Sequence, residues 1–200
     1  MPRPDRSRAA LLDSAAVLFR RQGYAATGVN QILESAGVKA GSLYHHFPDG
    51  KQELAAVVVD SVGGDIERRL RGFLESDMAV ADIVDAWIDL MSAGLTSDQR
   101  DGCPIEPIAT ESVNASPQVR AASRRVFGGW CRAVADRLRA DDWPTEDADQ
   151  TALAVVALLE GALILSRIAG DTAALDAAKA ATRTLLSAAR RIAGQVGMRR

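Results

Sequence analysis

An all-α protein of about nine helices is the fold class that this sequence predicts. Alanine is abundant, aromatic residues make up only 4% of the 200 positions, and apolar residues make up 48%. This composition favours helix and allows a sizeable core. Apolar side chains recur with helical period along most of the chain, and glycine, proline or a capping residue separates the periodic stretches. We identify no stretch with the alternation of a β-strand and no internal repeat.

The first predicted helix covers about residues 5–22. Apolar side chains recur there at helical spacing, so this helix has one apolar face that can pack on the elements that follow. The face is formed by Ala9, Leu12, Ala16 and Phe19, and Leu11, Ala15 and Leu18 widen it. Phe19 is expected to close a small three-helix core with Ile32, Leu43 and Phe47. Gly23 comes next, and glycine ends helices readily because it tolerates the left-handed conformation.

Two short helices around a glycine-containing turn follow the first helix. The first of them covers residues 29–36, Gly37 ends it, and the second covers about residues 40–47. Thr27 lies just before this pair and is expected to cap it. This is the helix-turn-helix layout, whose second helix lies in the major groove of DNA.

Six further helices complete the prediction, at about residues 51–74, 78–97, 105–114, 117–140, 145–169 and 172–196. Ser116 is the expected cap in front of Pro117, and Thr145 is the expected cap of the helix that it opens. Gly63 and Gly64 interrupt the first of the six. They are equally compatible with a hinge and with a close helix–helix contact that requires small residues.

Charge is distributed unevenly along the chain. Residues 1–53 carry seven Lys or Arg against five Asp or Glu, whereas residues 54–200 carry seventeen against twenty-one. A mildly basic head on an acidic body fits a DNA-reading part joined to a part that does not bind DNA. The predicted division is therefore a helix-turn-helix DNA-binding domain at residues 1–50 and a C-terminal body at residues 51–200.

Cysteine usage and hydropathy predict a cytoplasmic protein. Cys103 and Cys131 have no metal-ligand spacing and form no disulfide framework, and the first eight residues are polar and charged rather than an apolar leader. The longest nearly apolar run, residues 152–165, is broken by Glu160 and is too short to span a bilayer. We therefore expect no membrane contact and interpret the run as a buried helix.

Eight residues in and around the helix-turn-helix are predicted DNA contacts. The N-terminal end of a recognition helix meets base edges, where serine can hydrogen-bond a base and alanine can contact a thymine methyl. A lysine at a helix N-terminus can meet a phosphate together with free backbone N–H groups. Thr27 is as compatible with a pure capping role as with a phosphate contact, and His46 is expected to pack or cap. The predicted contacts are Thr27, Lys39, Ala40, Gly41, Ser42, Tyr44, His45 and Lys51.

The segment GVKAGSLYHHFPDGKQEL resembles the recognition-helix signature of the TetR/AcrR family of bacterial transcriptional regulators. That signature reads Val-Ser-x-Gly-x-(Leu/Ile)-Tyr-x-His-Phe, followed by a short acidic turn and a lysine. Lys39 departs from it, because it replaces the usual capping serine and adds a positive charge. The resemblance also implies a phosphate contact for Tyr44. The matching residues are Val38, Gly41, Leu43, Tyr44, His46, Phe47 and Lys51.

Two stretches of the body resemble an LmrA/YxaF-like subgroup of the same family. This resemblance implies that residues 51–200 form a helical C-terminal ligand-binding and dimerisation domain. Its last two helices, about Thr145–Ala169 and residues 172–196, are then expected to form a four-helix bundle with those of a second subunit. The residues agree independently, since residues 152–165 are apolar almost all round and need a partner on two sides. The Glu106-Pro107 pair departs from the subgroup pattern, which has small or apolar residues there. The matching residues are Gly102, Cys103, Pro104, Ile108, Ala109 and Glu111, then residues 159–165 with Arg167, Gly170 and Asp171.

Eight body residues are candidates for lining an effector cavity. Aromatic and methionine stripes at helical spacing are more often core than ligand box, so core packing is the alternative for each of them. Cys103 is compatible with a redox sensor and with a buried inert thiol. Glu111 and Glu160 are compatible with orienting a ligand and with structural pairing. The candidates are Trp87, Met91, Cys103, Ile108, Phe127, Trp130, Cys131 and Leu163.

Taken together, these features predict a homodimeric repressor that a small, largely apolar effector releases from a palindromic operator in double-stranded DNA. We expect no cofactor and no metal. An enzyme is disfavoured because the sequence lacks G-x-S-x-G, P-loop and G-x-G-x-x-G motifs, and its two histidines are adjacent in the DNA-reading helix. A constitutive or activating regulator whose body binds a protein partner remains the alternative.

Overall fold

Nine α-helices make up the described part of the chain, which comprises residues 6–97, 102–112 and 114–197 of a computed structural model, with side chains described as far as residue 187. No strand occurs in those ranges, and the prediction of an all-α fold is confirmed. The helices are α1 (Arg6–Gln22), α2 (Val29–Ala36), α3 (Ala40–His46), α4 (Lys51–Leu74), α5 (Val80–Ser97), α6 (Glu106–Ser112), α7 (Pro117–Ala140), α8 (Thr145–Ala169) and α9 (Ala173–Gly197).

The predicted helix ends agree with the observed ones to within about two residues, the usual uncertainty of a helix boundary. Asp5, the predicted start of the first helix, lies outside the described residues. Glycine ends α2 and α8 as expected: Gly37 and Gly170 both adopt the left-handed conformation, with φ of 65° and 75°. The apolar period and the glycine signals therefore place the elements well.

The helices divide into two compact units, and α4 and α7 each contribute residues to both. The first unit comprises the chain up to Asp65 together with Cys103–Phe127, and the second comprises Ile66–Gly102 and the chain from Gly128 onward. The predicted domain division at residues 50 and 51 stays a prediction.

A small apolar core holds α1, α2 and α3 together in the first unit. Phe19, Ile32, Leu43 and Phe47 are all buried, as the apolar pattern predicts. Leu11 and Ala15 of α1 are fully buried as well, whereas Leu12 and Ala16 are only half-buried, so the buried face of α1 follows Leu11, Ala15 and Phe19. Because α2 and α3 use their apolar faces for this core, their other faces remain available at the surface.

Two side-chain hydrogen bonds and a close approach at Gly63 connect α4 to α7 inside the first unit. Arg125 donates to both carboxylate oxygens of Asp60, at 3.3 and 2.7 Å, and a side chain at Gly63 would meet Val126. Helix α4 runs unbroken through Gly63 and Gly64. A close helix–helix contact, one of the two alternatives for this glycine pair, is therefore present.

The second unit is built on the pairing of α8 with α9, against which α5 also packs. Lys179 of α9 forms an ion pair with Asp89 of α5 at 2.7 Å, and Arg183 of α9 pairs with both Asp82 and Asp85. The turn between α8 and α9 is closed from within, because Ser166 Oγ accepts the N–H of Leu175 at 3.3 Å.

Two of the three predicted caps are wrong. Thr27 does not cap α2, because the extended residue Gly28 occupies the capping position and the Thr27 hydroxyl donates to the carbonyl of Gly23 at 2.6 Å. Thr145 does not cap α8, because it is already the first helical residue and Pro144 precedes it without a side-chain bond. The third cap is confirmed: Ser116 Oγ accepts the N–H of Val119 at 3.3 Å.

Candidate nucleic-acid interface

The N-terminal end of α3 forms the centre of the candidate interface. Lys39 precedes the helix in an extended conformation, with φ of −78° and ψ of 153°, and its carbonyl accepts the N–H of Ser42 at 2.9 Å. Lys39, Ala40 and Gly41 are exposed, and Ser42 is half-buried. Lys39 makes no side-chain cap, because its ammonium group can only donate hydrogen bonds and cannot accept the free N–H groups of the first turn. A recognition helix needs this arrangement, in which short side chains and a positive charge face outward.

Tyr44 and His45 extend the exposed face of α3. The Tyr44 side chain is 58% exposed, and a side chain at Gly50 would meet the Tyr44 ring at 3.3 Å. Gly50 has a φ of +68°, so glycine suits this position for its backbone as well as for the space it leaves. His45 is exposed, whereas His46 is half-buried and its ring lies edge-on to that of Phe47. The packing role expected for His46 agrees with this geometry.

Lys51 is the first residue of α4, and its ammonium Nζ lies 4.1 Å from the centre of the Tyr24 ring. Burial lowers the pKa of Lys51, and the Glu111 carboxylate acts in the opposite direction. The Tyr24 ring is a favourable platform for a cation, since the negative face of an aromatic ring attracts positive charge. Lys51 is thus held in a defined position beside the first turn of α4.

The eight predicted DNA contacts do not share one surface. Lys39 lies just before α3, five further residues lie on it, and Lys51 is the first residue of α4. The five residues on α3 are Ala40, Gly41, Ser42, Tyr44 and His45. Thr27 is fully buried, and its hydroxyl is used inside the turn before α2. The DNA-contact roles of all eight stay predictions, but the position of Thr27 favours its structural role.

Two arrangements in the first unit were missed by sequence reasoning. Arg8 of α1 lies 5.5 Å from the centre of the Phe47 ring. Glu111 Oε2 of α6 accepts the backbone N–H of Ala25 at 2.6 Å. The second contact joins residues 86 positions apart, and no periodic pattern marks such a pair.

The predicted effector-contacting residues are distributed over both units. Trp87, Met91, Trp130, Cys131 and Leu163 belong to the second unit, and Cys103, Ile108 and Phe127 belong to the first. Trp130, Leu163, Cys103 and Ile108 are buried, and the other four are half-buried. Their roles in binding a ligand stay predictions.

An aromatic neighbour of Trp87 was not among those candidates. Phe73 of α4 packs edge-on against the Trp87 ring, with ring centres 5.6 Å apart and an interplanar angle of 84°. Such edge-to-face geometry is the favoured one for aromatic pairs. Phe73 fits the apolar period of α4, but the sequence alone does not identify the helix that its ring contacts.

Burial disfavours reaction at both cysteine thiols. Burial raises the pKa of Cys131, and the buried residue Cys103 is shielded from solvent. A low thiolate fraction and poor access both slow thiol chemistry. Among the residues that the structure describes, no group of three or more His, Cys, Asp or Glu side chains is placed to hold a metal ion.

This fold and this exposed recognition helix define a helix-turn-helix transcriptional regulator. Residues 11–58 match the profile described as bacterial regulatory proteins of the tetR family, and residues 79–181 match the profile described as the C-terminal domain of LmrA/YxaF-like transcriptional regulators. The chain therefore belongs to the TetR family of DNA-binding transcriptional regulators, with an LmrA/YxaF-like body. Both resemblances seen in the sequence are confirmed.

Relatives in Bacillus subtilis support the same assignment. The HTH-type transcriptional regulator LmrA is 30% identical over 170 residues, covering 84% of this chain and 90% of LmrA. The uncharacterized HTH-type regulator YxaF is 31% identical over 161 residues, covering 80% of this chain and 84% of YxaF. Both are named as transcriptional regulators, a class of proteins that are generally not enzymes.

Solved structures share the fold. A TetR transcriptional regulator from Legionella pneumophila superposes with a TM-score of 0.80 at 18% identity, covering 92% of this chain and 98% of that one. A TetR transcriptional regulator from Chloroflexus aurantiacus gives a TM-score of 0.76 at 28% identity, covering 90% and 94%.

Helix α8 is the one described helix that has the length and apolar composition of a membrane span. This is weak evidence for a membrane segment, because a core helix of a globular protein has the same properties. In the second unit α8 packs against α9 and α5.

Proposed function

We propose that this TetR-family regulator is a cytoplasmic, homodimeric repressor that binds a palindromic operator and that a small, largely apolar effector releases. The observation that carries the proposal is the exposed N-terminal end of α3, where Lys39, Ala40 and Gly41 face outward above a buried apolar core. In a helix-turn-helix protein this end meets base edges, and a two-fold dimer presents two such helices to successive major grooves.

Within this proposal, the interface residues have different tasks. Lys39, Ala40, Ser42 and His45 face base edges, and Gly41 lets the helix approach the DNA backbone. Tyr44 and Lys51 contact phosphates, which gives affinity and fixes the orientation of the head without reading sequence. The Lys51 contact gives binding a dependence on salt concentration, because a lysine that neutralises a phosphate releases counterions.

Support for a dimer comes from the outward face of α8. Between residues 153 and 168 this face carries only apolar residues and spans roughly 140° of the helix circumference at 3.6 residues per turn. Leu153, Leu165 and Ile168 are 61%, 60% and 78% exposed. An exposed apolar patch of this kind marks an interaction site. The residues of this α8 stripe are Leu153, Ala154, Ala157, Leu158, Gly161, Ile164, Leu165 and Ile168.

The outward face of α9 complements the α8 stripe. Its described exposed residues are mostly small, namely Ala173, Ala177, Ala180, Ala181, Thr184 and Ser187. Small residues let a second helix approach closely, while the leucine and isoleucine side chains of α8 supply the apolar area. Pairing of α8 and α9 with their copies in a second subunit buries both faces in a symmetric four-helix bundle.

The effector is proposed to bind in the body, in contact with residues from the eight candidates that include Trp87, Met91 and Trp130. Their side chains are aromatic or apolar, which suits a ligand that is itself largely apolar. The effector releases the operator only to the extent that it binds one conformation of the protein better than the other.

A gel-shift titration tests the proposal, with DNA from upstream of the gene that encodes this chain and with salt varied. Wild type is expected to bind specifically, and Tyr44→Ala and Lys51→Ala are both expected to bind more weakly. The salt dependence is expected to become shallower in Lys51→Ala only, because the lysine neutralises a phosphate and the uncharged tyrosine does not. Lys179→Ala is the matched control, since it also removes one lysine charge but lies on α9. Equal binding by all three variants and wild type contradicts the assigned phosphate contacts.

A further inference from the structure

Side-chain hydrogen bonds stabilise the turn that leads from α1 into α2, residues 23–28. Thr27 Oγ1 donates to the carbonyl of Gly23 at 2.6 Å, and Gln22 Nε2 donates to Thr27 Oγ1 at 3.2 Å. Gln22 also reaches Gln31 of α2, with Nε2 donating to Oε1 at 2.7 Å. Because the turn and α2 are connected in this way, the position of the turn sets the position of the helix-turn-helix.

One contact to this turn comes from far along the chain. The Glu111 carboxylate of α6 accepts the N–H of Ala25 through Oε2 at 2.6 Å, a charge-assisted hydrogen bond of the stronger kind. The same carboxylate lies against Gly23. A side chain there would stand 3.1 Å from both Cδ and Oε2 of Glu111 and closer still to Oε1. Glu111 therefore contacts two backbone positions of one turn.

Helix α6 gives this carboxylate a fixed base. Ile105, just before α6, and Ile108 within it are both fully buried. Glu111 follows Ile108 by three residues, which places it on the neighbouring part of the helix face. Helix α6 also packs against α1 in the first unit. The anchored helix holds the carboxylate at the turn.

We propose that Glu111 is a positioning residue for DNA binding, which holds the turn before α2 through the Ala25 amide and so fixes the orientation in which the first unit presents α3. Glu111 touches no DNA in this role. It raises the fraction of molecules in which α3 is oriented to bind the operator. The apparent dissociation constant for the operator falls as that fraction rises. The proposal rests on operator binding by the exposed end of α3.

The negative charge of Glu111 weakens DNA binding, whereas its hydrogen bond to the turn strengthens DNA binding. These two effects can be separated by substitution. A carboxylate near the DNA-facing residue Lys51 repels phosphate, and its removal alone strengthens binding. Glu111→Gln removes the charge but keeps a side-chain oxygen that can accept the Ala25 N–H, whereas Glu111→Ala removes both. We expect the alanine variant to bind the operator roughly three- to tenfold more weakly than wild type, because the loss of a charge-assisted hydrogen bond is partly offset by the loss of the repulsion. The glutamine variant is expected to bind within about twofold of wild type.

The experiment uses full-length protein and a duplex selected by wild type from a random DNA library. Operator affinity of the two variants is measured by fluorescence anisotropy, with salt varied. The salt slope is expected to match wild type in both variants, since no phosphate contact is removed. An alanine variant that binds as tightly as wild type, or more tightly, overturns the proposal. A glutamine variant as weak as the alanine variant overturns the hydrogen-bond assignment.

A second measurement requires no DNA and separates this proposal from operator binding itself. Hydrogen exchange of the Ala25 amide is followed by NMR in wild type and in both variants. Protection is expected in wild type and in Glu111→Gln and is expected to be lost in Glu111→Ala, while the amides of α1 remain protected. An unprotected Ala25 amide in wild type overturns the proposal even if the operator is bound. Protection without any operator binding by wild type places the failure in the proposed DNA contacts instead.

Discussion

Replacing Gly63 with alanine tests whether the glycine pair of α4 serves close packing. A methyl group at Gly63 would lie 2.6 Å from Val126 Cγ2 and 3.0 Å from Val126 Cβ, and it would meet Cγ1 as well. Both methyl groups of Val126 and their shared carbon are involved, so no rotation of that side chain removes the clash. The neighbouring helix must therefore shift, as in other overpacked contacts, at a cost of about 1–3 kcal/mol.

The helix propensity of alanine offsets part of this cost. Alanine is better than glycine inside a helix by about 1 kcal/mol. We therefore expect Gly63→Ala to lower the free energy of unfolding by up to about 2 kcal/mol. Gly72 is the matched control in the same helix, since a methyl group there has no atom within 4 Å. Gly72→Ala is expected to stabilise the protein by roughly 0.5–1 kcal/mol.

The assay is urea unfolding followed by circular dichroism, with all variants at one protein concentration because assembly shifts apparent stability. The double variant Gly63→Ala/Val126→Ala completes a mutant cycle. Its destabilisation is expected to be smaller than the sum of the two single effects by about 1 kcal/mol or more, because the second change makes room for the first. A Gly63→Ala variant as stable as Gly72→Ala refutes the packing argument and returns the glycine pair to the hinge alternative.

Three further predictions follow from other contacts. Leu43→Ala is expected to lower the free energy of unfolding by about 2–5 kcal/mol, measured by the same urea assay, because Leu43 is fully buried in the core of the head. Leu165→Asp is expected to give a folded monomer, measured by size-exclusion chromatography with light scattering, because a charge is placed on the proposed α8 interface. The control Ala121→Asp, on the exposed surface of α7, is expected to remain dimeric. A dimer for both variants contradicts the α8 interface. Burial raises the pKa of Cys131, so its thiolate form becomes abundant only at a higher pH than the thiolate of glutathione. Peptide mapping after iodoacetamide treatment at pH 7.5 is therefore expected to show slower alkylation of Cys131 than of glutathione.

The elements of this fold are predictable from sequence because their signals are local. Gly37 and Gly170 end helices by their own conformation, and the apolar period of α1 and α3 identifies Phe19 and Leu43 as core residues. The recognition motif likewise lies in one continuous segment. A contiguous pattern of this kind carries its information in the order of residues alone.

Contacts between segments that are distant in the sequence cannot be predicted from local signals. Thr27 has the chemistry of a cap, yet its hydroxyl bonds to the carbonyl of Gly23 because Gly28 supplies the extended residue before α2. Glu111 has two plausible uses in the sequence, and only its distance to the Ala25 amide distinguishes between them. Which side chain reaches which backbone group depends on how helices are arranged in space, and a single sequence does not specify that arrangement.

In the proposed dimer, the outward face of α8 also decides which second subunit this protein accepts. From Leu153 to Ile168 that face carries no charge, so attraction and repulsion between charges, the usual means of rejecting a wrong subunit, are absent there. Discrimination must come from shape, with Ala157 and Gly161 leaving recesses between the larger leucine and isoleucine side chains. Within the proposed dimer, a paralogue with a large residue at either recess is excluded, and one with matching recesses exchanges subunits freely.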